Sequence, residues 1–353
     1  MEEAALNCKK YIAALMTAGM LFCAAGTAMA DELAQSCTEV QAQVSKSGPL
    51  LLFSDSPEMV YRKGILYRDT VSGDVRIFFH HVNATGSDKK LAVMVKNGGQ
   101  LRPVNYTVSK KALGVPSWNY MYAGKTSQKV YFGENQQPQT GTLGFSRSKE
   151  ILTGRGVVLT PDKLLVGTID LHLDKPAEIS VMMCDVQNDL ELFNRNAQVE
   201  PMDEHPLRGS FQSADWQYDI KEPIMVSRDK PQMLKLASSE QGFAKGTDAT
   251  TKLPAENYGN YGVVYKVSFA IGGQEKVKLS LNPLGGLFAG YGILEHNGKR
   301  QLLALPGNKL AVGDRFDDLL DVATLEPGAY NFIWSPPGAS NLPIRLFWRS
   351  AAL

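Results

Sequence analysis

Histidines and carboxylates are weighed first, because they carry most acid–base and metal chemistry. The stretch GTIDLHLD places Asp170, His172 and Asp174 at every second position. Ile169, Leu171 and Leu173 alternate with them as in a strand, so the three polar side chains share one face. Two carboxylates beside an imidazole offer the donors of a divalent-cation site, and with it metal-assisted hydrolysis. Residues two apart on a strand lie about 6.5–7 Å apart at Cα, so ligands from other loops must help close such a site. A half-buried strand with a solvated polar face has the same pattern. RIFFHHVN sets His80 beside His81, two of the chain's five histidines. Here alternation works against a shared ion. Phe78, His80 and Val82 fall on one face, and Ile77, Phe79 and His81 on the other. The expected partner of either histidine is a carboxylate or a backbone carbonyl.

Aromatic residues form the second set. In SWNYMY an extended chain puts Trp118, Tyr120 and Tyr122 on one face, a strip on which sugar rings can stack. A helical chain instead packs Trp118 against Tyr122 and turns them inward. Tyr258 and Tyr261 in ENYGNYG are a similar pair in a Gly-rich loop, with a plain turn as the other reading. Asp314, Asp317, Asp318 and Asp321 crowd GDRFDDLLD, and oxygen-rich clusters suit Ca²⁺. Their spacing is not that of an EF-hand, and a solvated turn explains them without an ion. SRSK, Ser146 to Lys149, is a formal S-x-x-K in a setting that does not read as a helix under a cleft. Asn83-Ala84-Thr85 is a formal glycosylation sequon. Nucleophile-elbow, zincin, Walker and dinucleotide fingerprints are missing, so no residue is assigned a catalytic role. No cofactor is expected, with Ca²⁺ or another divalent cation as the alternative.

The elements that must position these residues read as strands. DVRIFFHHVN, KLAVMVKN, KLLVGTIDLHLD, AEISVMMCDV, YGVVYKVSFAI, EKVKLSLN, GAYNFIWS and PIRLFW are short β-branched and aromatic runs. Turn sequences such as VSGD, KNGG, TPDK and EHNGK separate them. Asn297-Gly298 predicts a type I′ hairpin. The expected fold is all-β in the main: two β-sandwich or jelly-roll domains, 31–197 and 208–353, with one or two short helices. SWNYMYAGKTSQKVYF and NDLELFNRNA are the helical candidates.

The chain has 353 residues, 44% hydrophobic and 21% charged, with a net charge of +1. That is ample for a packed core, and the neutral balance gives no case for nucleic acid as a partner. Residues 1–30 read as an export signal: two lysines, a short apolar run, then Ala28-Met29-Ala30 as a cleavage site. Phe22 stands before Cys23 where a lipobox needs a small residue. No other long apolar run is present, so no transmembrane segment is expected in the mature chain. An oxidising address leaves Cys37 and Cys184 as an expected disulfide across the first domain. A loop that long would be worth about 4–5 kcal/mol in the chain-entropy account.

LEPGAYNFIWSPPGASNLPIRLFW resembles the final strands of secreted bacterial jelly-roll domains of the pre-peptidase C-terminal type. VVYKVSFAIGGQEKVKLSLN is similar to that family's early strands. The resemblance spans roughly 208–353 and implies a jelly roll, without the family's acidic cation-binding features. GILYRDTVSGDVRIFFHHVNATGSDKKLAVMVKN is similar to uncharacterised secreted proteins of anaerobic bacteria. Some of those are fused to the stalk domain named after the copper amine oxidase N-terminus. That stalk domain's own pattern is missing here, so the likeness implies an exported address and an architecture, not an oxidase.

The expectation is an exported, non-catalytic binding protein of the bacterial cell envelope, with glycan or another envelope component as its partner. A metal-assisted hydrolase of envelope polymers, using Asp170, His172 and Asp174, is the alternative. A structural or assembly role is the third.

Overall fold

The structure is a computed structural model that describes residues 37–351 apart from 135, 228 and 229. The export signal expected over 1–30 lies outside the described residues. Those residues are mainly β, as the strand pattern predicts. They form sheets of twelve, five and six strands, with two α-helices, α1 (Tyr120–Phe132) and α2 (Leu190–Asn196). No helix among them is long and apolar enough to cross a membrane.

Two long strands, Gly64–Asn83 and Leu164–Asp185, organise the large sheet and pair antiparallel along most of their length. The turn expected at VSGD does not form. Val71, Val75, Ile77 and Phe79 all bury one face, and continuing the ladder keeps that face covered. A register shift between Leu173 and Ala177, opposite Gly73 at φ +79°, absorbs the irregularity. The first half of the Leu164–Asp185 strand pairs with Val104–Leu113 and the second half with Lys89–Lys96. Ile169 and Leu171 from one half and Ile179 and Val181 from the other join a single core. The sheet therefore bends round on itself.

The five- and six-stranded sheets make the second sandwich. Trp216, Tyr265 and Trp334 of the six-stranded sheet share a core with Leu279, Leu346 and Trp348 of the five-stranded one. The rings of Phe269 and Trp348 cross it edge to face at 5.2 Å. Each buried tryptophan removes roughly 200 Å² from water, worth on the order of 5 kcal/mol before ordering costs. Strands from both sides of residues 197–208 share sheets. Thr38–Glu39 and Gln43–Ser47 join the five- and six-stranded sheets. Arg208–Phe211, Ala244–Thr247 and Pro254–Asn257 extend the large one. Phe53, Phe78 and Val166 of the large sheet belong to the same core as Trp216 and Trp334.

This routing removes the expected disulfide. Residues 38–39 pair in parallel with Gln232–Met233, so the chain after Cys37 is drawn into the five-stranded sheet. Cys184 lies opposite Lys90 in the large sheet, a buried thiol not joined to Cys37. Burial pushes that thiol up to about 11.

Helix α1 starts where the Asn119 side chain accepts a hydrogen bond from the Tyr122 amide, 3.1 Å away. Its Tyr131 and Phe132 pack with Ile293 and partly buried Tyr291, Leu302 and Ile333, on the outer face of the six-stranded sheet. Gln128 fastens it there, donating to Ser335 O at 2.5 Å and accepting from the Tyr291 amide at 2.7 Å. Gly124 is required by this docking: a Cβ there would lie 2.1 Å from Gly338 O. At the sheet's far edge, Asn297 (φ +49°) and Gly298 (φ +71°) form the predicted hairpin turn between His296 and Lys299.

Candidate functional site

Asp170, His172 and Asp174 do not converge. Cross-strand register hands each to a different partner. Asp170 lies opposite Arg76 and accepts from its Nε at 2.7 Å and from Tyr131 OH at 2.8 Å. His172 lies opposite Asp74 and bonds to it at 2.7 Å on an exposed edge. Asp174 accepts from the Asn105 amide at 2.7 Å and from Lys175 at 2.9 Å. The expected cation site is thus replaced by three separate bonds. Arg76 also reaches Asp215 at 2.8 Å, and that bond ties the large sheet to the six-stranded one, with Asp170 holding the guanidinium from the other side.

The two histidines part as alternation requires. Phe78 and Val82, flanking His80, face the core shared with the second sandwich; Ile77 and Phe79 face the other core. His81 donates from Nδ1 to Pro57 O at 2.9 Å, while its Nε2 lies 2.8 Å from Ser54 Oγ. Burial outweighs the pull of that carbonyl and holds its ring down at about 3, so it is neutral. His80 Nδ1 lies 2.9 Å from Asp55 Oδ1. Burial alone would lower His80, but the carboxylates of Asp55 and Glu58 outweigh it and hold the ring at about 9. Burial likewise pushes Asp55 up to about 7, against the pull of His80.

Asp55 and Glu58 reach this point because of how the chain leaves Leu50–Ser54. That strand runs parallel to Gly64–Asn83, ends opposite Phe79, and rejoins the same strand at Met59–Val60 opposite Val82 and Asn83. The intervening residues, 55–58, arch past the histidines. Asp203 secures the arch, accepting from Ser56 Oγ and the Glu58 amide, both at 2.8 Å. Donor atoms of Asp55, Glu58 and His80 lie within 4.8 Å of one another. Sequence reasoning missed this group, since Asp55 and Glu58 meet His80 only through the pairing of Leu50–Ser54 and Met59–Val60 with the histidine strand.

The aromatic strip is not formed, because Asn119 starts a helix and alternate residues of a helix do not share a face. Trp118 is exposed beneath the ammonium of Lys163, 4.3 Å from the ring centre. Tyr120 packs on the core and Tyr122 stays exposed. Tyr261 is turned inward, stacked on Phe53 with its hydroxyl on Ser340 O at 3.1 Å, whereas Tyr258 faces outward against Phe243. The aspartates of GDRFDDLLD also separate. Asp318 accepts from the Arg315 amide at 3.1 Å, and Asp321 from Ser280 Oγ at 2.8 Å. The sequon asparagine is buried, its Nδ2 donating to Ser87 O and Leu159 O at 2.9 and 2.8 Å.

A groove lies elsewhere, on the half of the six-stranded sheet that α1 leaves open. Gln43, Asp219, Ser268, Asn331, Glu295 and Arg300 stand in register across its six strands, one from each. Two positions along the same face, Ile333, Ile293 and Leu302 form the row that α1 covers. The polar row is internally bonded. Gln217 Nε2 donates to Asp219 and to Ser268 Oγ, both at 2.7 Å, Ser268 Oγ to Asn331 Oδ1 at 2.7 Å, and Asn331 Nδ2 to Glu295 at 3.3 Å. Ala270 and Ala329 keep the floor low, and the hairpin 295–300 with Lys221 forms the rim of a groove of about 650 Å³. His296 closes one end, stacked on Tyr330 at 4.1 Å and donating to Ala329 O at 2.8 Å.

No family model and no curated protein matches the chain. Among solved structures it is similar to the CUB1-EGF-CUB2 region of human MASP-1/3, at 11% identity over 88% of this chain and 100% of that one, with a TM-score of 0.19. It is also similar to a Lactobacillus farciminis oxalate decarboxylase formate complex, at 9% identity over 87% of each chain, with a TM-score of 0.17. Lac15 from a marine microbial metagenome is 10% identical over 76% of this chain and 50% of its own, with a TM-score of 0.13. At these TM-scores the likenesses carry no argument about function.

Proposed function

We propose that the chain is an exported envelope protein that binds a glycan in the groove of its six-stranded sheet. The observation that carries this reading is the polar row from Gln43 to Arg300. Sugar hydroxyls both donate and accept, and the amides, carboxylates and guanidinium of this row offer both functions at fixed positions. The row is held by its own hydrogen bonds, which lowers the cost of ordering it on binding. Charges of both signs line the groove, Asp219 and Glu295 against Lys221, Lys299 and Arg300, which suits a neutral polyhydroxylated ligand. Its volume falls in the usual range for ligand sites.

The same row argues for binding rather than cleavage. Asp219 and Glu295 stand three strand steps apart, about 14 Å at the backbone. Paired glycosidase carboxylates need about 5–9.5 Å. The three residues proposed for metal-assisted hydrolysis are committed to Arg76, Asp74 and Asn105. Screening on a glycan array tests the reading, with Ala270→Trp filling the groove and Trp118→Ala as the control for the surface outside it.

A further inference from the structure

We propose that Asp55, Glu58 and His80 bind one divalent transition-metal cation, Zn²⁺ by preference, which pins the arch 55–58 to the Gly64–Asn83 strand. The proposal is independent of the glycan reading.

Three observations support it. Two carboxylates and an imidazole bring their donor atoms within 4.8 Å of one another. Tetrahedral zinc with metal–ligand distances of about 2.1 Å holds its ligands ~3.4 Å apart, so small side-chain movements close the set. An imidazole with carboxylates ranks zinc above manganese among the divalent ions.

Second, the carboxylate cluster is left incomplete without an ion. His80 is 5% exposed and turns Nδ1 to Asp55 Oδ1 at 2.9 Å, a contact that an ion takes over as the imidazole gives up its proton. The Glu58 carboxylate, half-buried, makes no hydrogen bond or ion pair among the described residues. Buried polar atoms without partners are uncommon and call for an explanation.

Third, acidic side chains gather at the arch. Asp55 and Glu58 bring their oxygens together, and Asp203 bonds to Ser56 Oγ and the Glu58 amide beside them. Arg208, on the carbonyl of Ser56, spends the rest of its guanidinium on Asp248 and on the carbonyls of Leu66 and Glu200. A dication removes the excess negative charge where water cannot. Three protein ligands leave a fourth position open, but the arch and the loop carrying Gly338 close over His80. The role is a fastening between layers of the fold, since the site lies under that loop and beside Tyr261.

The test is zinc titration of the full chain after exhaustive dialysis against a chelator, read by calorimetry and by melting temperature. The expected result is one equivalent bound, with a melting temperature that climbs with zinc concentration. Glu58→Gln keeps the shape of a side chain that bonds to nothing. It is expected to melt like the wild type without metal and to bind zinc at least about tenfold more weakly. His172→Ala should bind as the wild type does. Failure to bind zinc at up to millimolar concentration overturns the proposal. So does equal affinity in the wild type and Glu58→Gln, which would put the ion elsewhere.

Discussion

Asp170 Oδ1 lies 2.7 Å from Arg76 Nε, and the other oxygen of that carboxylate accepts from Tyr131 OH. Of the three polar residues on the GTIDLHLD face, this one is drawn into the packing between sheets. Arg76 is 4% exposed, and Asp215 is its second acidic partner. Asp170→Ala should cost about 3 kcal/mol, since it leaves a buried guanidinium half-paired. His172→Ala and Asp174→Ala, made at the exposed edge, should leave the urea midpoint nearly unchanged. Urea unfolding of the three variants checks the contrast, and equal losses in all three would refute it.

Gln128 fixes the boundary between the covered and open halves of the six-stranded sheet. Gln128→Ala leaves the Ser335 carbonyl and the Tyr291 amide without their partner. A loss of about 2–3 kcal/mol is expected, with earlier hydrogen exchange in 120–132 than elsewhere. Exchange mass spectrometry reads both the size and the place of the effect.

Cys184 is a thiol held protonated by burial. In the native protein it should resist iodoacetamide, and in urea it should react as an ordinary cysteine. Its pKa stands at about 11 against a free value of 9.0. Across that window the unfolded chain gives up a proton that the folded chain keeps, so stability falls as pH rises through it. Cys184→Ala should flatten that part of the curve. A Cys37–Cys184 peptide in a non-reducing digest would contradict the description.

Much of the strand content was legible because alternation reports burial directly. The separation of His80 from His81 and the Asn297-Gly298 hairpin needed only local geometry. The Asp170–His172–Asp174 reading failed on register: which residue lies opposite each one depends on a strand some ninety positions away, here the one carrying Arg76 and Asp74. The polar row was hidden for the same reason. Its six members come from six strands, and none is conspicuous in its own stretch. VSGD and SWNYMY misled in another way. Each is locally consistent with a turn or a strand, and the choice was made by the continuous buried face of Val71 to Phe79 and by the Asn119 cap.

The central claim is that the groove binds glycan. It is tested most directly by the affinity of the wild type, Ala270→Trp and Trp118→Ala for envelope polysaccharide fragments selected on an array. The account predicts saturable binding by the wild type and by Trp118→Ala. It predicts loss of binding in Ala270→Trp at an unchanged melting temperature. Equal binding by Ala270→Trp, loss of binding in Trp118→Ala, or no glycan bound by the wild type would contradict it.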